Sequence, residues 1–404
     1  MLNGCKSAVA LSLLLGWAGC SSPPRRSSQL TRVPAVTGST ASASATQPAR
    51  PADSGDRGAT NRPLAGVLDK ERIGHDASSS VSGSGVSTGF VLAHATNDWI
   101  SLETWSEANH FDPPQRLVSS TNMTCELHAP GGMITVTAGS HVARFVGIIC
   151  WLGYMPRSAD GHLLVHALDA GKNFLPLANP PDLPTDTHRV VVIDPGHGGE
   201  NTGARSVADN HVEKEFTLDW ALRLRPLLTG DGWKVVLTRT NDVDVSLADR
   251  VALADAAHAD LFVSLHFNSG ARQDQAGLET YCLTPTGMPS TLTRDYEDDI
   301  TRVFPNNAFD GRNLQYAVRL HRALLEETGG VDRGVRRARF MVVLRGQNRP
   351  AVLVEGGYLS NPLEAQSIAA EEYRQKLAEA VAKALRFSNP VEDRTVTNAA
   401  NQTP

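Results

Sequence analysis

Three apolar runs in the second half of the chain each end close to a residue that can bind a metal or move a proton, and this arrangement restricts the fold more than any other feature. His197 follows residues 190–193 within VVVIDPGHGG, His266 closes 261–266 within DLFVSLHFN, and Glu355 follows 351–354 within PAVLVEGGYLSN. Glu213 opens the helix-like stretch EKEFTLDWALRLRPLL. In an open α/β sheet the loops beyond the carboxyl ends of the strands converge on one crevice, so residues far apart in sequence can meet there. Two histidines and one carboxylate make a catalytic zinc set that leaves a fourth position for water, and a second carboxylate could then serve as the base.

The surrounding pattern agrees with that crevice. Strands are expected at 190–194, 233–239, 261–266, 278–283 and 351–355, and helices at 213–225, 313–327 and over much of 363–385. This alternation specifies an α/β fold with an open, mostly parallel sheet and flanking helices. Ser246 can cap the helix that follows it, with Asp249 completing a capping box. Pro226 should end or kink the first helix, because it lacks an N–H and crowds the preceding turn. The glycines after His197 allow a tight bend and close approach of a ligand to the backbone.

These residues and their surroundings resemble the zinc-dependent N-acetylmuramoyl-L-alanine amidases, cell-wall hydrolases of bacteria. The resemblance runs from about 188 to 368 through seven blocks in order: DPGHGG, Glu213-Lys214, LTRTNDVDVSLADR, ADLFVSLHFNS, GLETYCL, RGVRRARFMVVLR and PAVLVEGGYLSNPLEA. It implies Zn2+ as cofactor, with His197, Glu213 and His266 as metal ligands and Glu355 as the catalytic glutamate. The implied reaction cleaves the amide between the lactyl group of N-acetylmuramic acid and L-alanine of the peptidoglycan stem. Some family members carry a regulatory helix that covers the zinc site until a protein activator removes it. Residues 284–312 occupy that place here, and Glu297, Asp298 or Asp299 within TLTRDYEDDITRVF are candidates to approach the metal; a solvated lid is the alternative.

Other polar residues in these blocks have plainer readings. Arg239, Asp242 and Arg250 read as ion-pair or capping residues, His211 as a solvent-facing decoy, and Asn268 as an orienting group near His266. Two further functions stay open: a peptidoglycan-binding protein that has lost turnover, and a zinc peptidase acting on peptide ends. A phosphate-binding reading of DPGHGG fails for want of the P-loop lysine and the GxGxxG spacing.

The first half of the chain reads as export machinery and a smaller domain. Lys6, the apolar stretch 8–18 and the small residues Ala18-Gly19 before Cys20 resemble a bacterial lipoprotein signal spanning 1–19, with Cys20 lipidated and the protein anchored in the periplasm, the outer membrane favoured. Trp17 departs from that pattern, and an ordinary secretory signal is the alternative. Residues 20–89, rich in Ser, Ala, Pro, Gly and Thr, cannot bury enough apolar surface to fold and form an expected disordered tether, of reach roughly 45 Å. Short strands separated by Gly and Pro suggest a small α+β domain over 90–183, preceding the catalytic domain at 187–388; residues 389–404 form a polar tail. That domain loosely resembles one named for the N-terminus of copper amine oxidases, but it lacks a copper motif. Its His110, His128 and His141 read as ordinary polar residues, and cell-wall binding and a folded spacer are equal readings of its role.

Cys125 and Cys150 could pair and leave Cys282 single, or all three could be buried thiols. The formal net charge of −5 over 404 residues gives no argument for nucleic-acid binding, and no apolar run reaches the roughly 18 residues that span a bilayer.

Overall fold

The computed structural model of the chain describes residues 98–117, 122–180, 189–293 and 298–386. The export signal with Cys20, the tether, Glu297 and the polar tail lie outside the described residues.

The first part opens with β1 (Trp99–Ser101), α1 (Leu102–Ala108), β2 (Gln115–Leu117), β3 (Thr124–Ala129) and β4 (Gly132–Thr137). It continues through β5 (Val142–Phe145), β6 (Ile148–Trp151), β7 (Arg157–Ala159) and β8 (His162–His166). The short helices α2 (Ala167–Asp169) and α3 (Leu175–Ala178) flank a π-helical turn and close this part. Its core gathers Leu102, Trp105, Leu127, Val136, Leu163 and Phe174.

The second part contains β9 (Val190–Pro195), α4 (Glu213–Gly230), β10 (Lys234–Leu237), α5 (Leu247–Ala256), β11 (Leu261–Asn268) and β12 (Leu278–Cys282). After these come α6 (Asp310–Thr328), β13 (Asp332–Arg337), α7 (Val342–Arg345), β14 (Ala351–Tyr358), α8 (Pro362–Ala369) and α9 (Glu371–Leu385). Strands β10, β9, β11 and β14 run parallel in that spatial order, β12 joins β14 antiparallel, and β13 joins β12 parallel. The sheet is therefore mixed, with the parallel pairs predominating in this part.

Strand alternation sorts the side chains into two layers. Val191, Ile193, Val263, Leu265, Val352 and Val354 pack with helix residues Trp220, Leu224, Leu320 and Val381. Val192, Phe262, Ala351 and Leu353 face the other way, toward Ala254 of α5 and Leu344 of α7. With both faces covered, these strands need continuous apolar runs, and this is why β9, β11 and β14 stand out in the sequence.

Three details differ from the sequence reading or decide between its alternatives. Helix α4 runs through Pro226 to Gly230. Pro226 is on an exposed face, so the Leu222 carbonyl that loses its N–H partner there can be hydrated. Strand β13 was not expected, because its sequence DRGVRR is dominated by arginine. The third concerns the thiols. Cys125 faces Val136, Val136 faces Ala143, and Ala143 faces Cys150 across successive strands. Three strand spacings place the two cysteines roughly 14 Å apart, well beyond disulfide reach. Cys125, Cys150 and Cys282 are all free and buried, and burial pushes the Cys150 thiol up to about 12.

Strand β13 also joins the two parts. Val335 pairs with Cys150 of β6, so one eleven-stranded sheet runs through both. Around that single pair, Ile149 N donates to Asp332 at 2.9 Å, Trp151 Nε1 to Arg333 O at 2.8 Å, and Arg337 Nη2 to Lys172 O at 2.8 Å.

Candidate metal centre

The loop leaving β9 is shaped before it presents any ligand. Gly196 N donates to Leu265 O at 3.0 Å, and a Cβ on Gly196 would lie 2.3 Å from Cε1 of His266. Only glycine fits between the two strand ends. His197 has φ +61°, a left-handed conformation that costs a non-glycine residue about 1 kcal/mol and needs external support.

Two guanidiniums supply much of that support. Arg239 donates to Pro195 O at 3.0 Å and Gly196 O at 2.8 Å, while Arg250 donates to Pro195 O at 3.0 Å and His197 O at 2.8 Å. Arg250 also forms a buried ion pair with Asp194, whose other contacts are the hydroxyls of Thr238 at 2.6 Å and Ser264 at 2.7 Å. Farther along the loop, Lys214 bridges Gly199 O and Asp242, and Asp242 accepts from Gly199 N at 2.8 Å. Asp242 and Arg250 thus form ion pairs while holding backbone around the site, and Arg239 holds it through carbonyls.

Glu213, at the start of α4 and 4% exposed, is the meeting point. Its Oε1 lies 3.0 Å from His197 Nε2, 2.9 Å from His266 Nδ1 and 3.1 Å from Phe267 N. Its Oε2 accepts from Ala204 N at 2.9 Å. Burial alone would raise this carboxyl's pKa, but the two imidazoles outweigh it and hold the group well below the usual carboxylate range. Burial likewise disfavours a charged His197, and Glu213 reverses that to leave the imidazole's pKa raised. Such stabilisation of a carboxylate by two nitrogen bases is what a cation would replace.

The donor set passes a chemical test for a metal. One atom each from His197, Glu213 and His266 lie within 4.8 Å of one another. His197 Nδ1 is 2.8 Å from Asn201 Oδ1, and that oxygen also accepts from Gly203 N at 3.3 Å. The proton therefore belongs on Nδ1, and the Nε2 lone pair is turned toward Glu213 and His266. Asn201 has no role in the sequence reading; its only signal there is its place four residues after His197.

A cavity of about 370 Å³ opens on His197 and His266, walled by Asp244, Ser246, Leu247 and Val343 among others. Glu355 lies outside the metal group and outside that lining. It is 7% exposed, and its Cα is the register partner of His266 on the neighbouring strand. Adjacent strands lie about 4.8 Å apart, and register partners project to the same face of the sheet. The structure thus brings three of the four expected residues into one cluster and sets the fourth beside it.

The remaining candidates fall elsewhere. His211 is the expected decoy: its side chain is 61% exposed and bonded to Glu215 at 2.6 Å. Asn268 donates to Glu279 at 2.8 Å, fixing the strand end two residues past His266. In the segment 284–312, Asp298 is held by Arg339 at 2.6 Å and by Ser290, and Asp299 is exposed and bonds Thr301. Neither belongs to the metal group, so the expected approach of Asp298 or Asp299 to the metal is not made. Arg339 is fully buried and holds Asp298 in place by an ion pair.

Comparisons with known proteins converge on one family. A family model described as N-acetylmuramoyl-L-alanine amidase matches residues 191–386. N-acetylmuramoyl-L-alanine amidase AmiA of Escherichia coli strain K12 is 32% identical over 216 residues, covering 48% of this chain and 74% of the relative. N-acetylmuramoyl-L-alanine amidase CwlM of Bacillus licheniformis is 34% identical over 197 residues, covering 48% of this chain and 66% of the relative. Among solved structures, the catalytic domain of the amidase CwlV from Bacillus (Paenibacillus) polymyxa var. colistinus is 32% identical, with a TM-score of 0.41 over 49% of this chain and 96% of that one.

Proposed function

The chain belongs to the N-acetylmuramoyl-L-alanine amidase family, peptidoglycan hydrolases, and from that premise we propose that His197, Glu213 and His266 hold zinc while Glu355 serves as general base. The bond cleaved is the amide between the lactyl group of N-acetylmuramic acid and L-alanine of the stem peptide. The observation that carries the metal assignment is the convergence of two imidazole nitrogens on one oxygen of a buried carboxylate at the carboxyl edge of the sheet.

When bound, zinc supplies Lewis acidity, polarising the scissile carbonyl and making water easier to deprotonate. The chain's own groups do the rest. Asn201 and the Arg239–Arg250 pair keep His197 in one orientation, and Ala204 N and Phe267 N fix both oxygens of Glu213. His197, Glu213 and His266 would hold the metal with three protein ligands, and two of them, His197 and His266, line the cavity. Glu355 takes a proton from the attacking water as its oxygen bonds to the lactyl carbonyl carbon. It then delivers that proton to the alanine nitrogen as the carbon–nitrogen bond breaks.

Product analysis separates this reading from its competitors. Purified sacculi digested by the protein should release intact stem peptides with a free L-alanine amino terminus, identified by mass spectrometry. Release of single amino acids would instead assign a peptidase, and sacculus binding without release would assign a binding protein.

We further propose that the chain is exported and anchored through a lipidated Cys20, a reading supported by the residues of 1–20. A Cys20→Ser variant should lose lipid labelling and move from the membrane fraction to the soluble periplasm, since several acyl chains hold firmly where one holds only marginally. Equal membrane retention of the variant would reject the anchor.

A further inference from the structure

Glu279 is the second residue of β12, 2% exposed, and receives five hydrogen bonds. Its Oε1 accepts from Arg333 Nε at 3.1 Å and Arg336 Nε at 3.0 Å. Its Oε2 accepts from Asn268 Nδ2 at 2.8 Å, Tyr281 Oη at 2.9 Å and Tyr358 Oη at 3.0 Å. The donors come from four strands, β11 to β14. Two of them lie just beyond the proposed chemistry, Asn268 after His266 and Tyr358 after Glu355.

The sheet is irregular at these strand ends. His266 pairs with Glu355, but the next pair joins Asn268 to Tyr358, so two steps on β11 correspond to three on β14. The extra residue falls at Gly356-Gly357, where Gly357 has φ +126°. A second irregularity flanks Glu279 on its other side. Leu278 pairs with Asp332 and Thr280 with Val335, with Gly334 at φ +95°. Bulges of this kind bend the strand and re-aim the side chains beside them. Glu279 bonds across both, to Tyr358 beyond the first and to Arg333 within the second.

Glu279 is also the direct cross-strand partner of Glu355. Two like charges in that position repel, and only strong local compensation makes the arrangement tolerable. Arg333 and Arg336 provide it for Glu279.

We propose that Glu279 is a positioning residue for Glu355, fixing through Tyr358 and Asn268 the bulged strand end that sets where the Glu355 carboxylate stands relative to His266. The inference rests on Glu355 being the base. It is tested with full-length wild type, Glu279→Gln, Tyr358→Phe, Glu355→Gln and the two double variants that carry Glu355→Gln. Each is assayed on a soluble peptidoglycan disaccharide-peptide, with zinc content and thermal unfolding measured on the same samples.

The expected result for Glu279→Gln is a kcat lower by about tenfold to a hundredfold, the scale of a small misplacement of a reacting group, with KM within about twofold and full zinc content. In the Glu355→Gln background the same change should lower the residual rate no further, because both substitutions then remove one function. Tyr358→Phe should give a smaller loss with the same dependence on Glu355, and it decides the matter if Glu279→Gln does not fold. A folded, zinc-loaded Glu279→Gln with kcat within about twofold of wild type would overturn the inference, as would a loss that multiplies with that of Glu355→Gln. A wild type that releases no stem peptide, or a fully active Glu355→Gln, would overturn the functional reading instead.

Discussion

Glu355→Gln is expected to lower cleavage of the lactyl–alanine amide by about a hundredfold or more, the usual scale for loss of a general base, with zinc content that of the wild type. Glutamine keeps the size of the side chain and removes its basicity. Metal is retained because Glu355 lies outside the group formed by His197, Glu213 and His266. His197→Ala and His266→Ala should instead lose metal and activity together. The measurements are stem-peptide release by mass spectrometry and zinc by elemental analysis. A glutamine variant that cleaves at a near-normal rate would remove Glu355 from the reaction.

Arg250→Met should destabilise the protein by about 3–5 kcal/mol, the range for stranding one partner of a buried ion pair. Arg250 is 4% exposed and Asp194 1% exposed. After the substitution Asp194 keeps only the Thr238 and Ser264 hydroxyls, which cannot balance a buried charge. The loss reaches the metal centre as well, because Arg250 holds the carbonyls of Pro195 and His197 on either side of a glycine. Denaturant unfolding should show the full loss in the metal-free protein, and zinc affinity should fall as His197 gains freedom. A variant within about 1 kcal/mol of wild type would show that Asp194 is not left as an uncompensated buried charge.

The sequence exposes those parts of the fold whose signal is local. β9, β11 and β14 are legible because both of their faces are buried, and His197, His266 and Glu355 because each lies at or just beyond the end of such a run. β13 is hidden for the opposite reason. DRGVRR reads as a solvated charge run, whereas Arg336 and Arg337 are buried, answered by Glu279, Asn173 and backbone carbonyls far away in the chain. Glu279 offers only a weak signal, a carboxylate inside an apolar strand whose partners come from three other strands. The register that sets Glu355 beside His266 depends on strand order, which no local pattern contains.

The single pairing of β6 with β13 ties the catalytic part of the sheet to the part before it. In isolation the catalytic half would end in an open strand with unpaired backbone groups along one edge, a template for association with other chains. The leading part meets that edge at Val335 and hydrogen-bonds beside it through Ile149 and Trp151. An insertion or truncation in it would be felt first as a loss of solubility, before any change at the metal centre.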